Sequence, residues 1–283
     1  MTQDIRIDAL LPAEMAKRAE YIGVRKAEMP LLTTLVLAIL AGGFISMGAV
    51  FATTVSAGTS GVLPYGVSRL LTGVVFCLGL VLVVVGGAEL FTGNILIVMA
   101  WASGKISTVA LLRNWGVVYI GNFIGSVGTA FLVYFSGQYE FGGGAVGGSA
   151  LSIAQAKVNL GFVNALALGI LCNALVCLAI WMSFSARSTI DKIAVIVFPI
   201  TAFVAAGFEH SVANMYFVPI GLLVKTLDPA FALGTGLDLS RLTWANFLVD
   251  NLVPVTLGNI IGGSLLVAVV YWFVFLRFAE ESA

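Results

Sequence analysis

The chain has 283 residues, of which 60% are hydrophobic and only 10% charged, with a formal net charge of zero. A balance this apolar excludes a soluble globular domain and indicates a polytopic membrane protein. The neutral net charge argues against a nucleic-acid partner, and the 32 glycines suit transmembrane helices that approach closely or break.

Residues 1–29 are polar with mixed charge and do not read as a cleavable signal. Within them, Pro12 can open a helix at its first turn. Leu10, Leu11, Met15 and Ile22 alternate with Lys17, Arg18, Arg25 and Lys26, the pattern of an amphipathic helix. It either lies on the cytoplasmic membrane face or packs as a cytoplasmic cap, and in either placement it could plug a pore mouth. The transmembrane channel domain is expected over 30–277, with a short cytoplasmic tail at 278–283.

Charges then punctuate the apolar runs. Leu31 to Ser68 is charge-free and holds span 1 and a Gly/Ser/Thr turn; Leu70 to Gly104, span 2, carries Glu89. Asn114 to Tyr139 holds span 3, Glu140 to Ser149 reads as a Gly-rich loop, and Val158 to Ala186 is span 4. Span 5, Ile193 to Val224, is broken only by Glu209 and His210; a polar loop from Lys225 to Ala245 follows, then span 6 from Asn251 to Leu276. About 20 apolar residues are needed to cross a bilayer, so the count is six. Ten Lys and Arg residues fall on the side of the termini and four on the other, which puts both termini in the cytoplasm. Cys77, Cys172 and Cys177 all sit in apolar runs and read as small core residues, not a disulfide framework.

Spans 2 and 5 repeat each other. Gly87-Ala88-Glu89-Leu90-Phe91-Thr92-Gly93-Asn94 aligns without gaps on Gly207-Phe208-Glu209-His210-Ser211-Val212-Ala213-Asn214. Spans 3 and 6 share Gly121-Asn122-Phe123-Ile124-Gly125 and Gly258-Asn259-Ile260-Ile261-Gly262. Spans 1–3 and 4–6 are therefore two copies of one unit, and an odd number of spans per copy makes the copies run in opposite directions. Paired interrupted helices in an inverted repeat point to a midplane binding site. Each break frees backbone N–H groups at a half-helix N-terminus, where an anion is favoured. His210, the only histidine, stands at the second break beside Glu209. A charged residue at bilayer depth costs roughly 2.5–3.5 kcal/mol on insertion scales, so this pair is expected to serve a pathway or an internal bond.

The string Gly87 to Gly93 resembles the first signature of the formate/nitrite transporter family. Gly169-Ile170-Leu171-Cys172-Asn173-Ala174-Leu175-Val176-Cys177-Leu178-Ala179 resembles the second, and Gly207 to Met215 resembles the family's central-histidine loop. Through Leu11-Pro12-Ala13-Glu14-Met15-Ala16-Lys17 and Val253-Pro254-Val255-Thr256 the chain is most similar to the family's formate channels. The resemblance implies an all-α, aquaporin-like fold of six transmembrane helices, with helices 2 and 5 broken. It implies a homopentamer in the inner membrane and one pore per protomer for formate, nitrite, hydrosulfide or lactate. The breaks correspond to the family's omega-shaped loop, about Gly86 to Thr92, and its S-shaped loop, about Gly207 to Val212.

By the same resemblance, His210 is the central pore residue and Thr92 bonds it across the pore. Asn173 lines the outer side, and Lys157, opening span 4, concentrates anions at the outer mouth. Leu80, Phe91, Val176 and Phe203 form apolar constrictions, with Leu90 and Phe76 as further candidates; such rings resist a hydrated ion because water is lost on entry. A proton relayed from His210 to the anion would let a neutral acid cross them. Glu89 and Glu209 are expected to bond the free N–H groups of the loops, since a carboxylate repels an anion. Two other classes have less support. A water or glycerol pore would suit the fold, but no Asn-Pro-Ala pair occurs at the breaks. An intramembrane enzyme would need a nucleophile or metal-ligand motif, and none is seen, so no metal or cofactor is expected.

Overall fold

The structure, a computed structural model, describes residues 9–277. The tail expected at 278–283 and the first eight residues of the N-terminal element lie outside the described residues. The chain runs α1 (Pro12–Ala27), α2 (Leu31–Ser56), α3 (Tyr65–Gly86), α4 (Phe91–Ala102), α5 (Thr108–Phe135), α6 (Ala145–Val158), α7 (Phe162–Ser183), α8 (Thr189–Ala206), α9 (Ser211–Leu227), α10 (Pro229–Gly234) and α11 (Trp244–Phe275). Six of these, α2, α3, α5, α7, α8 and α11, are long and apolar enough to cross a membrane. Apolar residues cover much of the outer surface, as a lipid-facing protein requires, and Glu89, Glu209, His210 and several Asn, Ser and Thr side chains are buried inside.

Spans 2 and 5 each divide in two. Helix α3 stops at Gly87 (φ 74°) and α8 at Gly207 (φ 78°), a left-handed conformation that costs a residue with a Cβ. The chain then runs extended through Leu90 and His210 and re-enters a helix at Phe91 and Ser211. The repeated Gly-Asn-x-x-Gly strings set the helix packing. A Cβ on Gly125 would overlap the carbonyl of Ile39 on α2, and one on Gly262 would overlap the carbonyl of Ile170 on α7. Small residues thus bring α5 against α2 and α11 against α7 at backbone distance.

The structure corrects two expected loops. The Gly-rich stretch does turn at Gly142, Gly143 and Gly144, all at positive φ, but helix α6 begins at Ala145. Val146, Ala150, Leu151, Ala154 and Val158 form one buried stripe on it, and α9 packs there. Too few apolar residues to span a membrane still made a stable helix, because the stripe had a partner. Span 4 therefore starts at Phe162, and Lys157 closes α6 instead of opening span 4. In the second loop, the Asp228 carboxylate accepts from Phe231 N–H and starts the short helix α10.

Helix α1 packs on the body through Met15, Ala16, Ala19, Gly23 and Ala27. Arg18 donates to the Phe184 carbonyl (3.1 Å), Ser185 to that of Leu10 (2.9 Å) and Arg113 to that of Ala27 (2.8 Å). Lys26, near its end, reaches the first break.

Candidate functional site

The two breaks are held by two hydrogen-bond networks that correspond residue for residue. In the first, Asn122 Oδ1 accepts from Phe91 N–H (2.9 Å), while its Nδ2 donates to the carbonyls of Ala38 (2.8 Å) and Glu89 (2.9 Å). In the second, Asn259 Oδ1 accepts from Ser211 N–H (2.9 Å), while its Nδ2 donates to the carbonyls of Gly169 (2.8 Å) and Glu209 (2.9 Å). Glu89 N–H donates to Leu37 O and Glu209 N–H to Leu168 O. One buried amide thus staples each extended segment to two neighbouring helices, which satisfies the backbone that leaves the helix.

The glutamates do a different job from the one expected. Their carboxylates bond side chains, not the free N–H groups of the loops. Glu89 accepts from Lys26 Nζ (2.6 Å) and Asn94 Nδ2 (2.7 Å). Glu209 accepts from Lys157 Nζ (2.9 Å) and Asn214 Nδ2 (2.6 Å). Asn114 and Asn251 complete the pattern: each accepts from the loop asparagine and donates to the carbonyl of the paired lysine, Lys26 or Lys157. Each of these two buried carboxylates therefore has its own cation. The copies differ in detail: Asn251 Nδ2 also donates to Glu209 Oε2 (3.4 Å). Asn94 Oδ1 accepts from Lys26 (2.9 Å), whereas Asn214 Oδ1 has no partner among the described residues.

Two cavities face each other across the breaks, at opposite ends of α3, α7 and α8. The first, about 270 Å³, is lined by Arg18, Lys26 and Lys192 together with Glu89 and Leu90. The second, about 280 Å³, is lined by Arg69 and Lys157 with Glu209, Phe76, Phe203 and His210. In both, cations outnumber the one carboxylate, which favours an anion. Arg69 was not singled out by the sequence reading. It caps the end of α8, donating from Nε to Ala205 O (3.1 Å) and from Nη2 to Val204 O.

Between the cavities the protein is closed. Thr92 Oγ1 and His210 Nε2 are 2.9 Å apart, both groups buried, so the two breaks meet through this one bond. His210 Nδ1 accepts from Ala213 N–H (3.0 Å) and so caps α9. Because that N–H can only donate, Nδ1 must offer a lone pair, and the neutral ring carries its proton on Nε2, facing Thr92. Phe203 stacks on the imidazole (centroids 5.8 Å, 19°) and Phe76 meets Phe203 edge-on (5.7 Å, 83°). Leu80 and Val176 are buried and line neither cavity. Asn173 lies in the wall behind Thr92, donating to the carbonyls of Thr92 (3.2 Å) and Asn259 (2.7 Å). Phe91 points away from both cavities, its ring against Trp115 and Tyr119.

Among the described residues no cluster of three or more His, Cys, Asp or Glu could hold a metal.

Residues 13–273 match the family model described as formate/nitrite transporter. The chain is 48% identical over 281 residues to formate channel FocA of Escherichia coli, covering 98% of each chain. It is 41% identical over 265 residues to formate channel FocA of Haemophilus influenzae, covering 92% of this chain and 93% of that one. It is similar in structure to a pentameric formate channel with formate bound, with a TM-score of 0.81 and 47% identity over 87% of this chain and 98% of the other.

Proposed function

This chain belongs to the formate/nitrite transporter family, and from that premise we propose that it is a multi-pass membrane channel for formate and similar small monovalent anions. The observation that carries the reading is the buried Thr92–His210 bond, standing between two cation-rich cavities. An anion is concentrated in either cavity by the excess of Lys and Arg. At the closed section Leu80, Leu90, Val176 and Phe203, with Phe91 and Phe76 beside them, exclude bulk water. The Nε2–H of His210 and the hydroxyl of Thr92 are the donors that replace it.

Passage is passive or proton-linked. In the passive mode the neutral imidazole donates from Nε2 to the anion in place of Thr92. In the proton-linked mode Nδ1 must gain a proton, which requires it to release Ala213 N–H and uncap α9. The protomer works in a homopentamer in the inner membrane, with both termini cytoplasmic and the α1-side cavity facing the cytoplasm. The two halves, α1 to α5 and α6 to α11, then face opposite ways across the bilayer, and the matched networks of Asn122 and Asn259 support that reading. Helix α1 is the cytoplasmic cap, able to gate the first cavity.

The test is flux of labelled formate into proteoliposomes, with nitrite and hydrosulfide as competitors and osmotic swelling measured in parallel. Saturable formate flux above that of empty liposomes is expected. Swelling without anion flux would instead indicate a neutral-solute pore, and flux of nitrite or hydrosulfide without formate would move the substrate within the family.

A further inference from the structure

Phe91 lies between Leu90, which lines the first cavity, and Thr92, which bonds His210, while its own ring lines neither cavity and rests against Trp115 and Tyr119. Three residues on one face of α5 hold it. Asn122 accepts from its backbone N–H (2.9 Å). The ring meets Tyr119 edge-on (centroids 4.9 Å, 77°) and Trp115 edge-on (6.2 Å, 75°). Trp115 is itself pinned, donating from Nε1 to the Asn94 carbonyl (3.1 Å). The hydroxyl of Tyr119 shares a hydrogen bond with that of Thr256 on α11 (2.8 Å). Tyr119 thus ties α5 to α11 across the helix that carries Thr92.

The second copy is built differently at the matching position. The residue matching Phe91 is Ser211, whose hydroxyl has no partner among the described residues. At the first break the Phe91 ring rests on Trp115 and Tyr119, whereas at the second it is Phe203 that stacks on His210. Beside the Phe91 ring, α5 and α11 leave an apolar crevice lined by Leu112, Ile120, Leu252 and Leu257, so the ring has room to move once its brace is loosened.

We propose that Tyr119, tied to Thr256, is a positioning residue that fixes Phe91 and, through the adjoining backbone, the separation of Thr92 from His210, and so sets the largest anion that passes. The inference rests on the channel reading above and deepens it. Neither Tyr119 nor Thr256 touches the permeating anion; they act through Phe91. Loosening the brace lets the Thr92 segment shift and widens the closed section, so a two-carbon carboxylate gains more than formate does.

The test compares acetate and formate permeability in proteoliposomes for Tyr119→Phe, Thr256→Val and the double variant. Each keeps side-chain volume and removes one or both hydroxyls. The acetate-to-formate ratio should rise about 2- to 10-fold in each single variant, the factor that one buried hydrogen bond carries. The double variant should match the singles, because all three lose the same bond. A general folding defect would lower both fluxes and leave the ratio unchanged. An unchanged ratio in well-folded variants overturns the proposal, as does a double variant whose effect is the product of the singles. Absence of formate flux in the unsubstituted protein would instead overturn the channel reading on which the proposal rests.

Discussion

Replacing Asn259 by Leu tests whether a single amide holds the second break. The side chain keeps about the same size but loses three hydrogen bonds: from Ser211 N–H, and to the carbonyls of Gly169 and Glu209. Interhelical hydrogen bonds in membrane proteins average about 0.6 kcal/mol and reach about 1.7, because freed groups usually find other partners. Here the freed groups include backbone of an extended segment with no next turn to bond, so values near the upper end apply. Three such bonds give about 3–5 kcal/mol, enough to lose most of the marginal stability of a folded domain. The assay is thermal unfolding in detergent, followed by the loss of the monodisperse chromatographic peak. Asn122→Leu should cost a similar amount, since its three bonds match in kind and length. Near-native melting of either variant would refute the staple, and a large loss in one alone would refute the equivalence of the two copies.

Lys157→Met should leave Glu209 buried without its cation, a loss of about 3–5 kcal/mol, and adding Glu209→Gln should restore the folded yield; failure of that rescue would mean Lys157 acts in another way. Gly262→Val should abolish monodisperse protein, because the new side chain meets the Ile170 carbonyl where α11 crosses α7, and a well-behaved variant would contradict that close packing. Deleting residues 1–29 removes both α1 and the Lys26 partner of Glu89, so formate flux at low pH should differ from that of the intact chain. Identical pH profiles would count against α1 as a gate.

Much of this site was legible because it repeats. The shared Gly, Glu and Asn of spans 2 and 5 marked both breaks, and the shared Gly-Asn-x-x-Gly strings of spans 3 and 6 marked the repeat, while the close crossings at those strings emerged only from the geometry. What those residues do was less legible. Glu89 and Glu209 need partners at bilayer depth, but no spacing links Glu89 to Lys26, which in sequence sits on the polar face of a surface helix. Asn122 and Asn259 stood out as repeated residues, yet a mid-membrane asparagine has many possible partners and only the fold shows that these two bond the loops. Helix α6 was missed because its glycines and short length resemble a loop, and the α9 face that stabilises it is distant in sequence. Trp115 and Tyr119 left no signal at all: an aromatic residue in so apolar a helix reads as lipid-facing or core until its ring is seen against Phe91.

In the proposed mechanism His210, bonded to Thr92 between the two cavities, carries the permeating anion across the closed section. The direct measurement is labelled-formate flux into liposomes holding His210→Phe or the unsubstituted protein, at several pH values and with and without a pH gradient. With His210→Phe the oligomer should stay intact and proton-linked formate movement should be lost. Formate flux unchanged by the substitution at every pH would contradict it.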